Sequence, residues 1–324
     1  MHVCHRSRPR FVLHVQRAAW QHTHFIYDMA GMARAHGALR RLGKQFACWM
    51  HGIEIWEHAR SDRIKWCRHA DLLLANSAYT QRRAQHLHGG FEHARVCWLA
   101  TEQDEAPPAL PLQRRPHVLI LSRLAGSTQS ADMRYKGHEQ LIACWPDVVR
   151  AVPHARLLIG GEGPGRAEIE ERARASSARA AIEFLGFIPE EKTDQVFAQV
   201  SVFAMPSRGE GFGLVYIEAM RHGLPVIASR HDAAPEINLD GVTGYNIDLN
   251  RTDELARRII ELLAHPDRAG ALGAAGRRRW EEHFRFSAFR HRFLSVFDPW
   301  IAGSSSVRSS DLEPVAAAWA LREQ

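Results

Sequence analysis

Two glutamates eight residues apart, Glu210 and Glu218, stand in the stretch SRGEGFGLVYIEAMRHGLPVIAS (207–229). The residues before it read as a strand ending at Pro206, and those after Gly213 as a helix ending at His222–Gly223. Glu210 then falls in a loop at the carboxyl end of a strand, and Glu218 about two turns into the following helix. In an open α/β sheet, ligands bind beyond the strand ends. The N–H groups of Gly211, Phe212 and Gly213 would open that helix, and a helix N-terminus attracts phosphate. One carboxylate beside phosphates and another reaching a ribose describe a site for a nucleotide sugar.

Two cations belong to the same construction. Arg123 ends the strand HVLILS (117–122), and Lys136 lies in RYKGH (134–138), just before a helix starting near Gly137. Either alone reads as surface charge; facing the Glu210 loop, the pair reads as a diphosphate clamp. A leaving diphosphate gains charge as its glycosidic bond breaks, so cations fixed there stabilise the transition state more than the ground state. GGEGPG (160–165) also joins a strand to a helix, but its glycines do not complete G-x-G-x-x-G. No acidic strand end follows at the distance of ~20 residues that a dinucleotide site needs. A tight strand-to-helix turn is the better reading.

Short apolar runs alternate with helical patterns along the chain. In the first hundred residues the strand candidates are FVLHV (11–15), FACWM (46–50), DLLLAN (71–76) and RVCWLA (95–100), with helices around Tyr27–Leu42 and Ala78–His88. A second series follows: 117–122, 155–161, 181–186, 200–206 and 225–229. Helices near 137–151, 167–176, 190–199 and 213–222 separate its strands, and further helices follow near 253–263, 267–282 and 286–297. Alternation of this kind argues for parallel sheets with both faces covered. Pro107, Pro108, Pro111 and Pro116 mark a linker. The expected division is 1–105, a partial acceptor-side domain; 106–116, the linker; 117–285, a donor-binding domain; and 286–324, a terminal helix and flexible tail. Ligands are expected in the cleft between two such domains, with closure on binding.

Composition excludes several classes. At 324 residues with 45% hydrophobic and 24% charged, the chain is globular. No apolar run approaches the ~20 residues of a membrane span, and the basic start carries no secretory signal pattern. Five widely spaced cysteines without a C-x-x-C pair fit a reducing, cytoplasmic setting. Twenty histidines form no H-E-x-x-H or comparable ligand set, so no metal site is expected. The net charge of +6 comes without an aromatic-interleaved RNA motif, so no nucleic-acid partner is expected. The basic segment Arg34–Lys44, with Trp56 and Trp66 nearby, suggests peripheral contact with an anionic membrane surface.

As an ordered set, SRL (122–124), RYKGH (134–138), LLIGGEGPGR (157–166), FLGFIPEEK (184–192), MPSRGEGFGLVYIEAMRHGLPVIAS (205–229) and EI..DG.TGY (236–245) resembles the retaining glycosyltransferases of family GT4. The match runs through about residues 117–290, and MHGIEIWE (50–57) with LLLANSAYTQRR (72–83) resembles the latter half of that family's N-terminal domain. The resemblance implies the GT-B fold: α/β, two facing Rossmann-like doubly wound domains, the N-terminal one here incomplete. It implies transfer of a sugar from a UDP- or GDP-sugar to an acceptor hydroxyl, with retention and without metal or other cofactor. The expected setting is cell-surface polysaccharide, lipopolysaccharide or glycolipid synthesis, with a glycan or lipid-linked acceptor. Arg123 and Lys136 would hold the diphosphate, with N–H groups of Phe212 and Gly213 on phosphate. Glu210 would contact the transferred sugar, and Glu218 the ribose hydroxyls. His51, which on the residues alone reads equally as a cap or packing residue, matches a cleft-facing histidine of the family; Glu54 stands beside it. The catalytic set is thus Glu210, His51, Arg123 and Lys136, and the donor-binding set Arg123, Lys136, Gly211, Phe212, Gly213 and Glu218.

The family's N-terminal domain opens with a strand and a glycine-rich turn, whereas the first glycine here is Gly31, inside an expected helix. That departure keeps a second reading open, an inactive nucleotide-sugar-binding remnant. A third, epimerisation or phosphorolysis on the same fold, fits the Glu210–Glu218 spacing and the RYKGH lysine less well.

Overall fold

The computed structural model describes residues 7–107, 115–125 and 136–303. Two parallel sheets organise them. The first contains β1 (His24–Tyr27), β2 (Gln45–Met50), β3 (Leu72–Ala75) and β4 (Arg95–Val96), side by side in that order. The second contains β5 (His117–Leu121), β6 (Arg156–Gly160), β7 (Ile182–Gly186), β8 (Val202–Ala204), β9 (Val226–Ser229) and β10 (Gly244–Ile247), in the order β10-β9-β8-β5-β6-β7. Every strand pairing is parallel, so each return passes through a crossover. The chain builds outward from β5 through β6 and β7, then returns to the other side of β5 with β8. That reversal is a topological switch point, and it opens between the carboxyl ends of β5 and β8.

The helices are α1 (Arg8–Ala18), α2 (Ser61–Arg68), α3 (Ala78–His88), α4 (His138–Ala151), α5 (Arg166–Ala175), α6 (Glu190–Ala198), α7 (Leu214–Arg221), α8 (Ala234–Ile237), α9 (Glu254–Ala264), α10 (Pro266–His283) and α11 (Phe286–Ile301). Val118, Leu119 and Ile120 of β5 are wholly buried between the helical layers, as are Val226, Ile227 and Ala228 of β9. In β2 the two faces feed different cores. Phe46, Cys48 and Met50 pack with Tyr27, Ile55 and Trp56, while Ala47 and Trp49 pack with Leu72, Leu74 and Val296. Val296 belongs to α11, whose Phe289, Phe293, Phe297 and Trp300 cover this second face. The last described helix therefore returns to the first sheet; burying such side chains stabilises by about 1.5–3 kcal/mol each.

The first fifty residues depart from expectation. FVLHV (11–15) is the middle of α1, not a strand. A short apolar run cannot distinguish the two periods, but Pro9 in the first turn and the pairing of Phe11 with Val15 on one core favour the helix. The helix expected over Tyr27–Leu42 is instead the end of β1 followed by two short 3-10 turns, Ala33–His36 and Leu39–Leu42. Gly31 sits in the turn after β1 rather than in a helix. β4 is confined to Arg95–Val96, and Glu218 is the fifth residue of α7, nearer one turn in than two. Trp56 is buried, and Trp66 is half-buried and packs on Phe46 with ring centroids 6.3 Å apart. The linker residues 108–114, Arg134 and Tyr135 of RYKGH, Cys4, and the tail beyond Gly303 lie outside the described residues.

Candidate active site

Lys136 and Glu210 meet at the switch point. Gly137, the residue before α4, has φ +92°, and a Cβ there would lie 2.6 Å from the carbonyl oxygen and ring of Pro206, just beyond β8. Glycine lets the start of α4 lie against the end of β8. Lys136 is thereby brought onto Glu210, and their side chains form an ion pair at 18% and 12% exposure. His138, the first residue of α4, has its pKa pushed down to about 4 by burial, with the Lys136 charge adding, and is neutral at pH 7.

The Glu210 loop is fixed by its neighbours. Its N–H donates to Asp232 Oδ2 at 2.9 Å, and its carbonyl accepts from Ala233 N–H at 3.1 Å. Asp232 Oδ1 accepts from Ala234 N–H at 2.9 Å. Burial pushes the Asp232 carboxyl up to about 7; the backbone donors of Ala234 and Glu210 oppose this and the Glu210 charge adds to it. The Phe212 side chain is buried against Phe284, with centroids 6.1 Å apart, so only its backbone faces the cleft. Gly213, at φ +90°, starts α7 where a Cβ would strike the Tyr216 ring at 2.4 Å. Tyr216 in turn donates to Met205 O at 2.8 Å and ties α7 to the end of β8. Among the described residues, nothing accepts a hydrogen bond from the N–H of Phe212 or Gly213. These donors stand beside Lys136 and Glu210 at a helix N-terminus, an arrangement suited to phosphate.

Glu218 is half-buried on α7, and its carboxylate takes no hydrogen bond among the described residues. Burial raises its pKa, Arg221 opposes that, and Glu190 and Asp194 of α6 add to it. An acceptor of this kind suits hydroxyl donors. Arg123 lies exposed two residues beyond β5, its side chain meeting no acceptor among the described residues. The glycines of GGEGPG serve close packing: a Cβ on Gly161 (φ +118°) would lie 2.0 Å from Ser122 O.

The first sheet faces this loop directly. His51 follows β2, and its Nε2 lies 2.7 Å from Asp28 O and 3.3 Å from Asp28 Oδ1 at the end of β1. Its ring stacks on Trp49 at 5.8 Å, and its N–H donates to Glu54 Oε1 at 2.6 Å, so Glu54 closes the turn after β2. The His51 carbonyl touches Gly211 so closely that a Cβ on Gly211 would lie 1.8 Å away. The carbonyl of Gly211 accepts from Ser77 Oγ at 2.6 Å and Thr80 Oγ1 at 3.3 Å. Glu236 of α8 caps α3 across the cleft, accepting from Ala78 N at 2.9 Å and Tyr79 N at 2.5 Å, and from Trp98 Nε1 at 3.2 Å.

The structure thus brings together Lys136, Glu210, Gly211, Phe212, Gly213 and, from the other sheet, His51. Glu218 lies further along α7, and Arg123 lies exposed beyond β5. Asp28, Asn76, Ser77, Asp232 and Glu236 were not anticipated. Glu236 stood inside the EI..DG.TGY motif without a role, and Ser77 stood inside LLLANSAYTQRR without one; in the structure its hydroxyl caps α3 and reaches Gly211 O. Among the described residues no group of histidine, cysteine, aspartate and glutamate side chains is arranged to hold a metal.

Residues 130–279 match the family model described as "Glycosyl transferases group 1". The chain is 33% identical over 267 residues to the GDP-mannose-dependent alpha-(1-6)-phosphatidylinositol monomannoside mannosyltransferase of Mycolicibacterium smegmatis, covering 76% of this chain and 66% of that one. It is 31% identical over 291 residues to the GDP-mannose-dependent monoacylated alpha-(1-6)-phosphatidylinositol monomannoside mannosyltransferase of Corynebacterium glutamicum, covering 83% and 72%. Among solved structures, HepE of Anabaena in complex with UDP superposes with a TM-score of 0.76 at 19% identity, covering 90% of this chain and 82% of that one. Sucrose-phosphate synthase of Thermosynechococcus elongatus gives 0.77 at 23% identity, covering 91% and 78%.

Proposed function

The chain belongs to the GT4-type, group 1 glycosyltransferases and has the GT-B fold, and on that premise we propose that it moves a sugar from a nucleoside diphosphate to a lipid-linked or glycan acceptor with retention. The observation that carries the proposal is the meeting of Lys136, Glu210 and the open N–H groups of Phe212 and Gly213 at the switch point, opposite His51. In this reading the diphosphate lies over the N-terminus of α7. Lys136 shares its charge between Glu210 and the phosphates, and Arg123 closes on them from the end of β5. Glu218 accepts from the ribose hydroxyls, and Glu210 holds the transferred sugar.

As the glycosidic bond breaks, negative charge grows on the phosphate oxygen, where Lys136 and the two N–H groups are already aligned. The acceptor hydroxyl arrives on the same face of the sugar, and its proton passes to the departing phosphate. The anomeric configuration is then kept without an enzymic nucleophile. Metal is not required in this scheme, because fixed cations and N–H dipoles take the charge.

GDP-mannose and a phosphatidylinositol mannoside are the first donor and acceptor to test, given the relatives' activities. The first 100 residues hold 15 Lys and Arg against 6 Asp and Glu, which favours an anionic acceptor and peripheral contact with an anionic, cytoplasmic membrane face. No helix among the described residues is long and apolar enough to span a membrane. The test is incubation with UDP- and GDP-sugars and lipid acceptors, resolving the anomeric linkage of the product by NMR. Transfer with retention supports the proposal; binding without turnover selects the inactive remnant; no binding by any donor rejects both.

A further inference from the structure

Asp232 is buried at 3% exposure beneath the Glu210 loop, outside the proposed donor contacts. Its two oxygens accept from Glu210 N–H and Ala234 N–H, each at 2.9 Å, while Ala233 N–H returns to Glu210 O at 3.1 Å. The backbone of Glu210 is therefore gripped on both sides by one turn of the chain, 232–234. We propose that Asp232 is a positioning residue: its ionised carboxylate holds the Glu210 backbone so that the Glu210 side chain stays against Lys136, and protonating it releases the loop. The assignment rests on the transferase reading for its catalytic consequence, but not for its structural one.

The groups facing Asp232 explain why this hold responds to pH. Glu210 contributes its N–H as a donor and its charge as a repulsion, and the Ser207 hydroxyl adds a hydrogen bond from the end of β8. From α3, burial raises the pKa of the Tyr79 hydroxyl, Arg83 opposes that, and the nearby Asp232 charge adds to the rise. Lys136 is engaged by Glu210, and adjacent His231 places its Nε2 3.0 Å from Asp248. No cation touches Asp232 among the described residues, so the ionised form stands on backbone and hydroxyl donors alone. Burial outweighs them and brings the carboxyl up to about 7. A proton on either oxygen turns an acceptor toward a donor, and Glu210 N–H or Ala234 N–H loses its partner.

The experiment is hydrogen exchange at the Glu210 amide in the free protein from pH 5.5 to 8.5, corrected for intrinsic rates, in wild type and Asp232→Asn. Wild type is expected to gain about tenfold or more protection on passing from pH 6 to pH 8, the strength of a hydrogen bond to a charged group. Asp232→Asn should be poorly protected at every pH. With a working donor, wild-type kcat should fall on the acid side of neutrality, while the variant has lower kcat, no such limb, and a donor KM within about threefold of wild type. Equal and pH-independent protection in the two proteins would overturn the assignment. If Asp232→Asn does not fold, the wild-type exchange profile alone decides, and a flat profile overturns the proposal. If no donor reacts, the transferase reading falls while exchange still judges Asp232.

Discussion

Replacing Gly211 by alanine strikes the contact between the two sheets without touching a charged group. A Cβ on Gly211 would lie 1.8 Å from His51 O and 2.9 Å from its carbonyl carbon, whereas Cβ contacts below 3.0 Å essentially do not occur. The loop and the end of β2 must therefore separate by at least about 1.2 Å. Both clashing partners are backbone, so no rotamer change relieves the overlap. Separation also stretches the 2.6 Å bond from Ser77 Oγ to Gly211 O, worth about 1 kcal/mol. A displacement of ~1 Å in a preorganised site costs about a hundredfold in turnover. Gly211→Ala should thus fold, bind nucleoside diphosphate within a few-fold of wild type, and lose roughly two orders of magnitude in kcat. The control is Gly270→Ala in α10, where a Cβ meets nothing within 4 Å and activity should be unchanged. Steady-state kinetics and diphosphate titrations on the three proteins decide it. Wild-type turnover in Gly211→Ala would refute the reasoning that this contact aligns the site.

Further expectations concern binding, the cross-cleft cap and pH. Glu218→Ala should raise donor KM about tenfold with a smaller change in kcat, since the carboxylate is assigned to a group that does not react; unchanged donor affinity in calorimetry would remove that role. Glu236→Ala leaves Ala78 N–H, Tyr79 N–H and Trp98 Nε1–H without their acceptor, at about 1–3 kcal/mol for each group that water does not reach. A fall in Tm of several degrees is expected, and an unchanged Tm would contradict it. His138 and Asp232 should impose opposite pH slopes on stability. With His138 at about 4 in the fold against 6.5 unfolded, stability is lost as pH falls from 6.5, by up to about 3 kcal/mol. With Asp232 at about 7 against 3.8, the folded state binds the extra proton, and stability is lost as pH rises through that window, by up to about 4 kcal/mol. Thermal unfolding should therefore show His138→Gln improving relative to wild type at pH 5, and Asp232→Asn improving relative to wild type at pH 8; the reverse order would contradict the assigned states.

Much of the second sheet was legible because its strands are short, apolar and bounded by strong signals. HVLIL, RLLIG and VIAS form strands where expected, and α4, α6 and α7 begin within a residue or two of their anticipated starts. β10 was missed because GYNI, flanked by turn residues, has little apolar pattern to announce it. The first fifty residues misled because FVLHV satisfies both periods, and HFIY is too short to stand out before β2 is known to lie beside it. The Lys136–Glu210 pair joins residues far apart in the chain, and only the positive φ of Gly137 against Pro206 makes the meeting intelligible. Asp232 and Glu236 were invisible for a related reason. Their partners are backbone N–H groups of distant segments, which leave no mark on residue type. Likewise the aromatic face of α11 reads as amphipathic in sequence, but its target, the sheet that begins the fold, is set by tertiary packing.

The most direct measurement is equilibrium binding of UDP- and GDP-sugars to the intact protein, alongside Lys136→Met and Glu218→Ala. One nucleotide class should bind with micromolar affinity, and both substitutions should weaken it at least tenfold. Failure of every donor to bind, or binding indifferent to both substitutions, would contradict a nucleotide-sugar site at the carboxyl ends of β5 and β8.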